Sequence, residues 1–232
     1  MSDRRVYHTR AMIITIDGPA GSGKSTSARK LAARLEIAYL DTGAMYRAIA
    51  LAALQRRIDF KNSESLLRLA QELRLELDCG PTYTRVKSDG HDVSEAIRTM
   101  AVSAVISQVA KHQGIRNLLV EQQRRIGALL GSFVTEGRDQ GSVVFPKADV
   151  RFVLEASPEK RAERRFQEMA AEGEVVTYEQ VLENLRSRDA VDSKQWEGLL
   201  ALNGVVIIDT TQLSIADVVN RMAEVVARVA NR

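Results

Sequence analysis

The chain has 232 residues, 45% hydrophobic and 27% charged; at roughly 100–200 residues per domain this is one domain, or one with an inserted lobe. Its composition is that of a soluble globular domain, which excludes collagen-like and disordered classes, and no stretch reaches the roughly 20 apolar residues of a spanning helix. Lysine and arginine total 33 against 30 acids, a net charge of +3, and aromatics are only 5%, so neither a nucleic-acid surface nor a membrane surface is expected. The single Cys79 forms no internal disulfide, and the scattered His8, His91 and His112 assemble no zinc site, so a reducing cytoplasm is the expected compartment.

Residues 1–10 are basic and read as a disordered arm. The run Met12–Ile16 is short, apolar and β-branched, as expected for a strand buried on both faces. It leads directly into Gly18-Pro19-Ala20-Gly21-Ser22-Gly23-Lys24-Ser25-Thr26 and then a helical pattern. Gly, four residues, Gly, Lys, then Ser or Thr is the phosphate-binding loop, and the strand-to-helix context is what supports it. Glycines let backbone N–H groups curl around a phosphate, and Lys24 offers a positive charge to the outer phosphates. The Ser25 hydroxyl is a ligand for Mg²⁺, and the helix N-terminus favours the anion. A bound nucleoside triphosphate is the direct implication.

A shorter strand at Ala38–Leu40 is followed by Asp41-Thr42-Gly43-Ala44-Met45-Tyr46-Arg47, a polar turn opening a helix. An arginine one turn into a helix suits a second anion, although an ordinary capped helix has the same appearance. Beyond Gln55 the strand–helix alternation breaks. Arg74–Leu77 and Tyr83–Lys87 look like strands, the second running into an Asp89-Gly90 turn, and helical patterns continue through Leu130, so about 56–131 reads as an inserted lobe. Phe133–Thr135 is again strand-like and is followed by Glu136-Gly137-Arg138-Asp139-Gln140-Gly141. In open parallel sheets ligands bind beyond the carboxyl ends of strands, where this loop and the phosphate loop would meet.

After a strand at Val150–Leu154, the stretch 157–196 carries Lys160, Arg161, Arg164 and Arg165 among acids on helices with a thin apolar stripe, the pattern expected of a mobile flap. Val205–Ile208 is the last strand. Ser214 and Asp217 then cap a helix whose Ile215, Val218, Val219, Met222, Val225, Val226 and Val229 recur at helical spacing. Strands alternating with helices predict an α/β fold with a five-stranded parallel sheet flanked by helices. Its core would be 11–55, 132–156 and 197–232.

The segments Ile16–Lys24, Leu40–Arg47, Asp92–Arg98, Glu136–Pro146 and Leu213–Asp217 together resemble the bacterial cytidylate kinases, over nearly everything after residue 11. That resemblance implies a P-loop kinase fold with an acceptor-binding lobe and a helical lid. It implies transfer of a phosphoryl group from ATP, with Mg²⁺, to CMP or dCMP; a monomer is the expected state, although no heptad or exposed apolar stripe in the sequence decides it. By the same resemblance Lys24 and the loop hold ATP, while Arg47 and Arg138 clamp the acceptor phosphate. Arg161, Arg164 and Arg165 close over the phosphates, Asp139, Arg116 and Ser107 read the base, and Thr42, Arg188 and Asp192 complete the acceptor site. A carboxylate suits cytosine, which presents an amino donor where uracil presents an oxygen. Gln195 and Gly198 depart from the family's arginine and proline, and a neutral amide does not replace a bidentate guanidinium. Other monophosphate or small-metabolite kinases, and a non-catalytic nucleotide switch, are the alternatives that the residues alone leave open.

Overall fold

The computed structural model describes residues 11–171, 173, 175–200 and 202–231, with only the backbone at 188 and 190–198. The expected arm at 1–10 and the side chains of Arg188, Asp192, Gln195 and Trp196 therefore lie outside the described residues, as does Gly198 beyond its helical backbone.

The chain alternates as the apolar runs dictate. Strand β1 (Ile13–Asp17) is followed by α1 (Lys24–Leu35), and β2 (Ala38–Asp41) by α2 (Thr42–Gln55) and α3 (Ser63–Glu72). Three short strands come next, β3 (Leu75–Cys79), β4 (Thr84–Ser88) and β5 (His91–Asp92), then a 3-10 turn at Ala96–Arg98, α4 (Met100–Ala110) and α5 (Gln113–Leu130). Strand β6 (Phe133–Gly137) ends in a π-type turn at Gln140–Val144. After it come β7 (Val150–Glu155), α6 (Pro158–Ala171), α7 (Tyr178–Leu200), β8 (Val205–Asp209) and α8 (Ile215–Ala230).

The large sheet has five strands in the order β2-β6-β1-β7-β8, and every neighbouring pair is parallel. Strand β6 sits between β2 and β1 with Asp17 opposite Gly137 and Asp41 opposite Glu136. This one insertion brings three strand ends together, each carrying a polar segment.

Side-chain alternation sorts the sheet's two faces. Ile14, Ile16, Val134, Phe152, Leu154 and Ile208 pack with Ala28, Leu31, Val218 and Met222 beneath α1 and α8. On the other face Leu40 and Phe133 meet Val144, Phe145 and Ala148, and Phe133 and Phe145 stack edge to face at 5.1 Å. Burying each such side chain stabilises by about 1.5–3 kcal/mol. Ser214 caps α8 with a reciprocal bond pair to Asp217, a contribution of about 1 kcal/mol.

A second apolar cluster joins α2, α3, α4 and α5 through Met45, Ile49, Leu66, Leu69, Val102, Ile115 and Leu119. The small antiparallel sheet β3-β4-β5 hangs on the free edge of β2: Tyr39 N–H donates to Gly80 O at 2.9 Å and Asp41 N–H to Thr84 Oγ1 at 3.0 Å. That cover removes an exposed strand edge. Both strands expected here begin one residue later than their sequence pattern and run further, and β5 is an addition. Helix α7 runs unbroken to Leu200.

Candidate active site

The phosphate loop is shaped by its glycines. Gly18 has φ 141°, and a Cβ there would stand 2.2 Å from Leu154 O, so no side chain fits. Gly23, at φ 88°, precedes α1 and leaves its first amides without a side-chain cap, an arrangement that suits an anion. Lys24 is buried and its Nζ donates to Pro19 O at 2.7 Å, curling over the loop. Ser22 Oγ is buried without a partner, and Thr26 sits half-buried in the first turn of α1. Thr210 Oγ1, 3.1 Å from Ser22 O, ties the loop to the end of β8.

Beside the loop, Ser25 Oγ donates to Glu136 Oε1 at 2.9 Å and Thr42 Oγ1 donates to Glu136 O at 2.9 Å. Burial raises the Glu136 carboxyl, and the nearby Asp41 raises it further. Asp41 caps α2 through Ala44 N–H at 3.1 Å and pairs with Arg98 at 3.2 Å. The Ser25 hydroxyl and the Glu136 carboxylate form a small hard-oxygen donor set. That fits Mg²⁺, which keeps several waters and needs few protein ligands when phosphates supply the rest. Among the described residues no group of three or more His, Cys, Asp or Glu forms a metal cage.

Opposite this corner, Arg47 on α2 donates to Ser103 Oγ at 2.9 Å and to Ile97 O at 3.4 Å. Burial lowers its pKa, Asp41 opposes the shift, and the charges of Arg98 and Arg165 add to it. Arg138 reaches from the end of β6 to donate to Gly18 O at 2.9 Å. Its neighbour Asp139 forms an ion pair with Arg116 of α5. Burial raises the Asp139 carboxyl and Arg116 pulls it back. Tyr46 lies within this field, its phenol pushed up to about 12 by burial and then by Asp139. Ser107 is exposed, one helical turn beyond Ser103 on the same side of α4.

The three arginines of α6 divide. Arg161 is buried and makes two bonds to Asp189 on α7, at 3.0 and 2.6 Å. It also donates to Ala156 O and to Ala20 O of the phosphate loop. Arg164 holds Thr210 through its hydroxyl at 3.1 Å and its carbonyl at 2.6 Å. Arg165 pairs with Glu168 at 3.2 Å and is the one of the three whose charge is felt at Arg47. The structure thus links Lys24, Ser25, Thr42, Arg47 and Arg138 through Glu136 and the phosphate loop, with the Asp139–Arg116 pair beside Arg138 and the charge of Arg165 felt at Arg47. Arg161 and Arg164 fasten α6 to the loop and to β8. Asp17, Tyr46, Arg98, Ser103 and Asp189 are additions. Of these, Asp17, Tyr46 and Arg98 lie within the segments that carry the resemblance.

A family model described as cytidylate kinase matches residues 14–228. The cytidylate kinase of Caldanaerobacter subterraneus subsp. tengcongensis is 44% identical over 216 residues, covering 93% of this chain and 94% of the relative. That of Clostridioides difficile is 41% identical over 219 residues, covering 94% and 98%. A bifunctional pantoate ligase/cytidylate kinase from Synechococcus sp. (strain JA-3-3Ab) is 43% identical over 227 residues, covering 96% of this chain and 42% of the relative, so the chain spans less than half of that longer protein. In fold, the chain is similar to a crystal structure of an uncharacterized protein from Eubacterium ventriosum, with a TM-score of 0.50 at 14% identity, covering 93% and 98%.

Proposed function

The chain belongs to the cytidylate kinase family, and from this we infer that it transfers a phosphoryl group from ATP to CMP or dCMP, giving ADP and CDP or dCDP. The observation that carries the mechanistic reading is the junction of β1 and β6, where Arg138 Nη1 lies 2.9 Å from Gly18 O. A donor on the phosphate loop and an acceptor held beside Asp139 would then share one cleft.

In this reading the loop amides and Lys24 hold the ATP phosphates. Arg47, Arg138 and Arg165 surround the transferred group. A loose anionic transition state asks for positioning and charge neutralisation rather than covalent chemistry from the protein. Mg²⁺ would be held by Ser25, with Glu136 at its side, and supplies further neutralisation of the phosphates. Asp139 accepts from the cytosine amino group while Arg116 and Ser107 donate to the ring acceptors. We take 56–131 as the acceptor lobe and 157–196 as the lid, with Arg188 and Asp192 supplied by the lid. We place the enzyme in the cytoplasm, with which the free, half-buried Cys79 is consistent, and as a monomer. No helix among the described residues is long and apolar enough to cross a membrane.

The test is kcat/KM for CMP, dCMP, UMP, AMP and GMP with Mg·ATP, for the native chain and for Asp139→Ala. CMP and dCMP are expected to lead by orders of magnitude. Asp139→Ala should erode the preference over UMP about 10²-fold or more, since a site built for a hydrogen-bonding group rejects the analogue that leaves it unpaired. An equal loss for CMP and UMP in that variant would remove Asp139 from base recognition.

A further inference from the structure

Asp17 is a buried carboxylate that the mechanism above leaves without a task. It ends β1 and is 0% exposed. Its Oδ1 accepts from Gln140 N–H and its Oδ2 from Gly141 N–H, each at 2.8 Å. Burying a carboxylate is costly unless charge-assisted bonds compensate, and two backbone amides are what this one receives. Those amides open the turn at Gln140–Val144, immediately after Asp139. The seat is tight: a Cβ on Gly141 would lie 2.8 Å from Thr15 Oγ1 and 3.3 Å from Asp17 Oδ2.

The turn is gripped from its other side as well. The buried side chain of Gln140 donates from Nε2 to Gln123 Oε1 at 3.2 Å, and its Oε1 accepts from Thr135 Oγ1 at 3.1 Å. Gln123 is 1% exposed and lies on α5 two turns beyond Arg116, on the same face of the helix. Arg116 holds Asp139 itself, and Gly18, next to Asp17, holds Arg138. Residues on both sides of Asp139 are therefore fixed to the strand that carries the phosphate loop and to the helix that carries Arg116.

We propose that Asp17 and Gln123 are positioning residues for base recognition: Asp17 grips the backbone and Gln123 the side chain of the turn that follows Asp139, which fixes where the Asp139 carboxylate stands. The proposal rests on the reading in which Asp139 meets the cytosine amino group. It makes selectivity for the acceptor base depend on a residue at the root of the donor loop.

Asp17→Asn is isosteric and keeps one acceptor oxygen, but it presents an amide N–H₂ to a backbone N–H. Selectivity, measured as kcat/KM for CMP over that for UMP, is expected to fall about tenfold, since displacements of an ångström or less are that costly. The loss should appear in KM for CMP, with KM for ATP within about twofold of native. A merely structural role would lower both acceptors and ATP together, and an unchanged CMP/UMP ratio in a folded variant overturns the assignment. Should Asp17→Asn fail to fold, Gln123→Met decides. It conserves volume and removes only the side-chain grip, with about a threefold fall in the ratio expected; no fall overturns the proposal. Asp139→Ala, assayed in parallel, separates the two failures. If that variant keeps the CMP preference, the base reading itself is wrong; if it loses the preference while the positioning variants keep it, only this inference fails.

Discussion

In the proposed reading, the donor half of the site is built from backbone and the acceptor half from side chains. Residues 18–26 form the first as one contiguous stretch, with three left-handed or near-forbidden glycines and uncapped helix amides. The second draws on α2, α4, α5, the end of β6 and α6, and its charges have protein partners: Arg47 on Ser103, Arg116 on Asp139 and Arg98 on Asp41. A backbone cradle is ready for phosphate before any ligand arrives. A site of paired side chains must exchange partners to admit its substrate, and that exchange is where discrimination can be exerted. On that reading, affinity for a common donor and selectivity for an uncommon acceptor would have separate physical seats.

The largest expected effect tests whether the donor half acts by charge alone. Lys24→Ala removes the one side-chain cation of the loop while leaving the glycine-shaped backbone in place. Turnover is expected to fall about 10³-fold, as for loss of one preorganised transition-state donor. The bond from Nζ to Pro19 O accounts for only about 1 kcal/mol of stability, so the melting temperature should move by a few degrees at most. Collapse of the fold together with activity would mean that the lysine shapes the loop instead of serving the phosphates.

This division also explains what the sequence reveals. The loop is legible because its chemistry is local: one stretch contains the turn, the cation and the helix start. The central parallel strands are legible because burial on both faces demands continuous apolar runs, whereas β8, at the sheet edge, is equally apolar although Ile207 is 53% exposed. Strands β3 and β4 are half-buried, with alternating exposure, and their ends are blurred accordingly. The acceptor half comes through resemblance, since no spacing rule connects Arg116 to Asp139 or Asp17 to Gln140, 123 positions apart. Arg161 and Arg165 look alike in sequence. What separates them is Asp189, 28 residues downstream, which claims the first and leaves the second paired with Glu168, its charge felt at Arg47.

The next effect sits at the joint between the halves. Burial pushes the Asp17 carboxyl up to about 6 against the pull of Gly141 N–H, Gln140 N–H and Lys24, with Asp139 adding to the rise. Burial raises Glu136 and Asp139 in the same direction. A value higher in the folded than in the unfolded chain means that folding takes up protons. The stability from Asp17 is therefore whole below about pH 4 and lost as pH rises through about 6. Between an ordinary 3.8 and about 6 this is on the order of 2 to 3 kcal/mol, about half of it recovered on going from pH 7 to pH 5. Urea midpoints at the two pH values, compared with those of Asp17→Asn, isolate the contribution. Native and variant slopes that match would show that the carboxylate is stabilised in its charged form by its two amides.

The smallest effect asks whether α6 and α7 are held independently of the loop they cover. Arg161 is 3% exposed and its guanidinium donates to both Asp189 oxygens and to Ala156 O and Ala20 O. Asp189→Asn keeps one acceptor oxygen and both backbone partners, but it takes the countercharge from a buried cation. Asp189 is itself 25% exposed at its side chain, so water replaces part of what is lost, and the cost should be about 1–2 kcal/mol. Charged to the α6–α7 contact alone, that cost opens α7 more often: amides of Tyr178–Leu200 should exchange with solvent about tenfold faster while those of α1 stay as they were. Equal acceleration in both helices would mean that Arg161, through Ala20 O, makes loop and cover a single cooperative unit, and the donor half would then depend on side chains as much as the acceptor half does.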